Sequence, residues 1–197
     1  MKKAIIYIHG KGGSISEAEH YIPLFKDCDV IGFDYTSQTP WEAKNEFVSF
    51  FDNLSEKYDS LNIIANSIGA FFAFSALSSK HIDNAVLISP IVDMEALIYK
   101  MMICANVTED ELREKKEIPT EFGETLSYEY LTYVRKHPIS WNIPTQIFYG
   151  DKDHMTDIEA ITDFAKKTNA KLFIMKNGEH WFHTDEQMNF IDSHIEL

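Results

Sequence analysis

The sequence predicts an α/β fold, a single domain with a mainly parallel sheet of about six strands and helices on both faces. Three observations carry that expectation. Short apolar runs alternate with amphipathic stretches of helical length along most of the 197 residues. The runs are continuous instead of alternating with polar residues, as strands covered on both faces must be. Joining such strands in parallel takes right-handed crossovers, each of which lays a helix against the sheet. With 45% hydrophobic and 13% aromatic residues, the chain has enough apolar surface for one sizeable core.

Lys3 to Ile8 is too short and too rich in isoleucine for a helix and reads as a buried strand. The loop His9-Gly10-Lys11-Gly12-Gly13-Ser14 follows, and its three glycines let the backbone approach a ligand closely. A helix is expected from about Ile15 to Phe25, with Pro23 near its end, and then a strand from Cys28 to Phe33. Thr39-Pro40-Trp41-Glu42 combines an N-cap threonine, proline at the first helical position and glutamate at the third, and starts a helix that reaches about Tyr58. Leu61 to Ala65 and Asn84 to Ser89 are the next strands, with an apolar helix between them.

The alternation breaks between Ile91 and Ile143. Met94, Leu97, Ile98, Met101 and Met102 recur at helical spacing, Thr108-x-x-Glu111 is a capping box stapled by Val107 and Leu112, and a third helix is expected over Ser127 to Lys136. Roughly fifty residues exceed what a crossover needs, so 91–143 reads as a helical cap inserted into the domain spanning 1–197. Order then resumes: Thr145 to Tyr149 is a strand, Thr156-x-x-Glu159 caps a helix to about Thr168, Lys171 to Met175 is the last strand, and Thr184-x-x-Gln187 caps the final helix.

The chemistry centres on Leu61 to Leu77, where a strand passes through Asn66-Ser67-Ile68-Gly69 into a helix. A serine at such a turn has its hydroxyl held clear of the sheet, and the turn needs small residues two before and two after it. Ala65 and Gly69 are small, giving a G-x-S-x-G nucleophile elbow with alanine at its first glycine. Serine needs a base to take its proton and a carboxylate to orient that base. The strand at Thr145 ends in Gly150-Asp151-Lys152-Asp153, and the strand at Lys171 ends in Asn177-Gly178-Glu179-His180. Both loops fall on the sheet edge that carries Ser67, in the chain order serine, acid, histidine.

On these four features, with His9-Gly10 after the first strand, the chain resembles the α/β-hydrolase superfamily, close in size to its compact single-domain serine esterases. The resemblance implies a triad of Ser67, Asp153 and His180, the acid lying three residues after Gly150, with Asp151 as the alternative. It implies an oxyanion hole from the backbone N–H groups of Lys11 and Ile68. Asn66 stands where histidine is frequent, and the antiparallel strands that usually precede the first parallel one are absent, so about six strands are expected instead of eight. His9 and Gly12 on the first loop, and Met94, Ile98 and Met102 on the cap, are candidates for the substrate pocket. The methionine stripe reads equally as cap core.

The implied reaction is hydrolysis of a small carboxylic ester through an acyl-enzyme. The same triad serves a thioester, amide or carbon–carbon bond, and a non-catalytic binding module on the same fold is the reading from another class. Eighteen lysines and arginines against 31 aspartates and glutamates give a formal charge of −13, which opposes binding to nucleic acid or anionic lipid. The expected partner is a small acyl substrate. No run approaches the roughly 18 apolar residues of a membrane span, and His9-Gly10 ends the first apolar run too early for a signal peptide. Two cysteines give neither a disulfide framework nor a metal spacing, so a cytoplasmic location is expected. His180-x-x-His183 has a metal-like spacing without an apparent third ligand, and neither metal nor cofactor is expected. His183 and His9 read as structural and His154 as exposed.

Overall fold

A computed structural model describes residues 1–197. In chain order the elements are β1 (Lys3–Ile8), a 3-10 helix (Ile15–Tyr21), β2 (Asp29–Gly32), α1 (Pro40–Ser55), β3 (Ser60–Asn66), α2 (Ile68–Leu77), β4 (Asn84–Ile88), α3 (Met94–Cys104), α4 (Glu109–Lys115), β5 (Glu117–Pro119), β6 (Thr125–Ser127), α5 (Tyr128–Lys136), β7 (Thr145–Gly150), α6 (Ile158–Thr168), β8 (Lys171–Met175) and α7 (Asp185–Asp192).

Six strands form one sheet in the order β2-β1-β3-β4-β7-β8, and every pair in it is parallel. The chain leaves β1 for β2 on one side, returns past β1 to β3, and walks from there to the opposite edge. The strand order therefore reverses between β1 and β3, and the loops leaving those two strands diverge into a crevice at their carboxyl ends. Ser67 follows β3 and the glycine loop follows β1, so both border that crevice.

Alternate residues of the strands feed two apolar layers. Ile5, Tyr7, Ile64, Val86, Ile88 and Phe148 form one cluster, closed by Ala18 and Tyr21 of the 3-10 helix and by Phe182 and Ile191. Ile8 points to the other face, where its side chain lies beside Gly69 of α2. There α2 packs on α1, and Phe74 of α2 meets Trp141 at 5.0 Å and Phe164 of α6 at 5.1 Å. Eight of the ten residues of α2 are buried, which explains why this helix has no polar stripe.

The predicted elements and the observed ones differ in three places. The segment after the glycine loop is a seven-residue 3-10 helix, not an α-helix to Phe25. Pro23 has no N–H to continue an i→i−4 ladder, and a run this short suits the tighter winding. The Thr156 capping box does not form: the N-cap of α6 is Asp157, and Thr156 uses its hydroxyl elsewhere. The segment 91–143 is not all helical, since β5 and β6 pair as an antiparallel hairpin whose turn passes through Gly123 at φ +86°.

Residues Asp93–Ile139 form a compact unit of their own, and Met1–Val92 with Ser140–Leu197 form the other. Within the smaller unit α3 packs on α5 and β6, and the Thr108–Glu111 capping box is present. Arg135 pairs with Glu95 and Glu109, each at 2.7 Å. Its hydrogen bonds, followed by that from Tyr99, hold the Glu109 carboxyl at about 2.

Candidate active site

Ser67 begins α2 with φ 52° and ψ −118°, a conformation that costs a non-glycine residue on the order of 1–3 kcal/mol. Its hydroxyl makes no capping bond to the helix, which leaves it available to another partner. Three backbone hydrogen bonds hold the strained turn: the Ser67 N–H donates to the Ile88 carbonyl at 2.9 Å, and the Ser67 carbonyl accepts from the Ala70 N–H at 3.2 Å and the Ile91 N–H at 3.4 Å. Ser89, next along β4, also has a positive φ of 43° and is fully buried with its hydroxyl unpartnered, so backbone strain gathers at this strand end.

Gly69 is required by contact. A Cβ there would lie 2.4 Å from the His9 carbonyl oxygen and 2.9 Å from that of Ile8, so only glycine lets α2 start under the end of β1. A Cβ on Gly10 would meet the Ser67 Cβ at 3.3 Å, which places the loop carrying Lys11 hard against the elbow. The Ile68 N–H opens α2, where helix N–H groups lack intrahelical partners. His9 braces this loop: its Nδ1 lies 2.8 Å from the Gly10 carbonyl, its ring stacks on Tyr35 at 4.4 Å, and the Tyr35 hydroxyl donates to the His9 carbonyl at 2.8 Å. Gly12, at φ +74°, faces open space.

Ser67 Oγ lies 2.8 Å from His180 Nε2, and His180 Nδ1 lies 2.7 Å from Asp153 Oδ2. The second Asp153 oxygen accepts from the backbone N–H groups of Met155 at 2.8 Å and Thr156 at 3.2 Å, which keeps the carboxylate oriented. The Asp153 side chain is fully buried and that of His180 is 19% exposed, so the pair sits largely out of water. Asp151, the alternative acid, accepts instead from the Asn177 N–H at 2.6 Å and shapes the turn before His180. The two loops interlock at glycines: a Cβ on Gly150 would lie 2.3 Å from the Gly178 carbonyl, and the Lys152 N–H donates to that carbonyl at 2.9 Å.

Thr156 is a site residue that its local sequence pattern assigns to helix capping. Its hydroxyl donates to the Pro90 carbonyl at 3.3 Å, and its own carbonyl accepts from the buried Tyr149 hydroxyl at 2.8 Å. Burial, followed by the Asp153 charge, pushes that hydroxyl up to about 12. Thr156 thus ties the acid turn to the strand end beside the elbow. Thr156→Val is expected to lower kcat about tenfold with KM little changed, and Thr156→Ser to recover most of the loss, because a single hydrogen bond is at stake. Steady-state kinetics on the three proteins checks this, and a Thr156→Val enzyme with unchanged kcat contradicts it.

The remaining expectations fall as follows. Met94, Ile98 and Met102 lie on α3 of the smaller unit, and all three are buried. His154 is exposed. His183 has Nδ1 2.6 Å from the Trp181 carbonyl and stacks on the Trp181 ring at 4.1 Å. No helix is long and apolar enough to cross a membrane.

A parallel six-stranded sheet of this order, with a strained serine after β3 and an acid and a histidine after β7 and β8, has the α/β-hydrolase fold. Solved structures share it. The α/β hydrolase domain-containing protein 10 from mouse matches with a TM-score of 0.78 at 15% identity, over 96% of this chain and 86% of that one. Est1E from Butyrivibrio proteoclasticus matches at 0.72 and 19% identity, over 98% and 84%. The thioesterase domain from the curacin biosynthetic pathway matches at 0.60 and 14% identity, over 98% and 90%. No protein-family model matches the sequence, and no curated protein does.

Proposed function

We propose that this protein is a serine hydrolase that cleaves a small carboxylic ester through an acyl-enzyme on Ser67. Ser67 Oγ attacks the carbonyl carbon while its proton passes to His180 Nε2, and the carbonyl electron pair moves onto oxygen. The backbone N–H groups of Lys11 and Ile68 donate to that oxyanion. Collapse of the tetrahedral intermediate returns the pair to the carbonyl and expels the alcohol, which takes the proton from Nε2. Water then attacks the acyl-enzyme, gives a proton to Nε2, and leaves as part of the carboxylic acid when Ser67 recovers its proton. Asp153 accepts from Nδ1–H throughout and stabilises the imidazolium.

The single observation that supports this reading most is the continuous hydrogen-bonded path from Ser67 Oγ through His180 to a buried Asp153. Purified protein is expected to turn over short-chain p-nitrophenyl esters, and Ser67→Ala to lower kcat/KM by at least about 10³-fold. Undiminished turnover in that variant contradicts the proposal. The likeness to a thioesterase domain favours one second reading, the same triad acting on a thioester. Comparing kcat/KM on an ester and a thioester of the same acid separates the two.

A further inference from the structure

A cavity of about 200 Å³ lies beside the elbow, on the sheet face covered by the 3-10 helix and α7. Chain neighbours of both reacting side chains bound it: Asn66 precedes the nucleophile, and Trp181 and Phe182 follow His180 directly. An engineered cavity of roughly 150 Å³ holds one benzene, so the space suits a compact group slightly larger than that ring. Four of its ten lining residues are aromatic, Tyr7 and Tyr21 joining Trp181 and Phe182; Glu17 supplies a carboxylate, and His20 and His183 complete the titratable lining.

The Glu17 carboxylate is held in place by neutral donors. One oxygen accepts from the Tyr7 hydroxyl, and the other accepts from the Ser14 N–H at 3.0 Å. Two donors leave part of the lone-pair capacity of a carboxylate unused, and neither donor balances its charge. The field reaches the surrounding rings. Burial is the main cause that raises the Tyr7, Tyr21 and Tyr35 hydroxyls, and the Glu17 charge adds to all three. A second carboxylate, Asp192, sits behind His20 at 2.8 Å. Trp181 stays 63% exposed at the rim, although it is the largest apolar side chain beside the site.

A charge-uncompensated carboxylate among aromatic faces favours one ligand chemistry. Ring faces attract cations, and the attraction grows as water is excluded. The whole chain carries a formal charge of −13, which raises the local concentration of cations and lowers that of anions. We propose that this cavity is a subsite for a positively charged nitrogen group, an ammonium or small alkylammonium, carried by the substrate next to the bond that Ser67 attacks. Its role in turnover rests on the serine hydrolase reading above, whereas the binding of the cation does not.

The test uses two isosteres of opposite character, choline and the neutral 3,3-dimethylbutan-1-ol, titrated calorimetrically into the full-length protein. Choline is expected to bind at least about tenfold more tightly, the scale of one desolvated cation contact. Glu17→Gln keeps an acceptor for the Ser14 N–H and is expected to remove that preference. Trp181→Ala changes a mostly exposed side chain, so it keeps the test open if the first variant does not fold, and is expected to weaken choline binding severalfold. Equal or undetectable binding of the two ligands to the wild-type protein overturns the proposal, as does an unchanged preference in the folded variants. Acetate esters of the same two alcohols separate this outcome from the fate of the hydrolase reading. A choline preference in binding without turnover of either ester retains the subsite and rejects the reaction. Turnover of both esters at one rate, without a binding preference, does the reverse.

Discussion

Replacing Asp153 with asparagine is expected to lower turnover about 10⁴-fold without unfolding the protein, the loss that follows when a triad histidine is held in the wrong tautomer. The Asp153 oxygen at 2.7 Å from His180 Nδ1 must accept a proton donor, and an amide that turns its NH2 group toward the ring forces the proton onto Nε2. Nε2 then faces Ser67 Oγ as a donor and cannot take its proton. The amide oxygen can still accept from Met155 and Thr156, so the turn keeps its shape. Asp151→Asn is expected to stay within about threefold of wild type, because its contact with the Asn177 N–H needs only a neutral acceptor. Measuring kcat/KM for both variants on one ester decides the matter, and the opposite ranking contradicts the assignment of the acid.

Gly69→Ala is expected to cost about 3 kcal/mol of stability or more and most of the activity. The added methyl would overlap two backbone carbonyls, those of His9 and Ile8, and neither can move aside as a flexible side chain would. Either α2 or the end of β1 must shift, which separates Ile68 from Lys11. Gly12→Ala is the comparison. Its position also has a positive φ, but the methyl meets nothing within 4 Å, so only the backbone term of about 1 kcal/mol applies. Urea unfolding of the two variants measures the difference. A Gly69→Ala protein as stable as Gly12→Ala would contradict a steric requirement for glycine at the elbow.

Much of this fold could be read from the sequence because its central strands are buried on both faces and leave uninterrupted apolar runs. Lys3–Ile8 matches the predicted bounds for that reason, and Lys171–Met175 matches them although it is an edge strand with Ile174 exposed. Three of the capping boxes, at Thr39, Thr108 and Thr184, form as expected because each threonine is followed by a carboxylate or amide at N3 and has no competing partner. Thr156 carries the same local signal and fails. Its competing acceptor, the Pro90 carbonyl, is 66 residues away in sequence, and no local pattern can reveal it. The β5–β6 hairpin was hidden because three residues per strand are too few to establish an alternation, and Gly123 was its only local mark.

The residues of the candidate site and their order along the chain can be read from the sequence, but not the distances between them. The spacing of Asp151 and Asp153 after Gly150 left two acids open. What separates them is the close approach of Gly150 and Gly178, which packs the two loops together and turns Asp153 toward His180. The cavity at Glu17 was not legible at all. Glu17 follows Ser14 at capping-box spacing, and only the fold brings Tyr7, Asn66 and Trp181 around it.

The most direct test of the central claim is covalent labelling of the full-length protein with a fluorophosphonate, followed by peptide mass spectrometry. Stoichiometric modification of Ser67, lost in Ser67→Ala and strongly slowed in Asp153→Asn, is the expected result. No modification of Ser67 in a folded protein, or labelling that proceeds equally without Asp153, would contradict an activated serine and leave the hydrolase fold without its proposed chemistry.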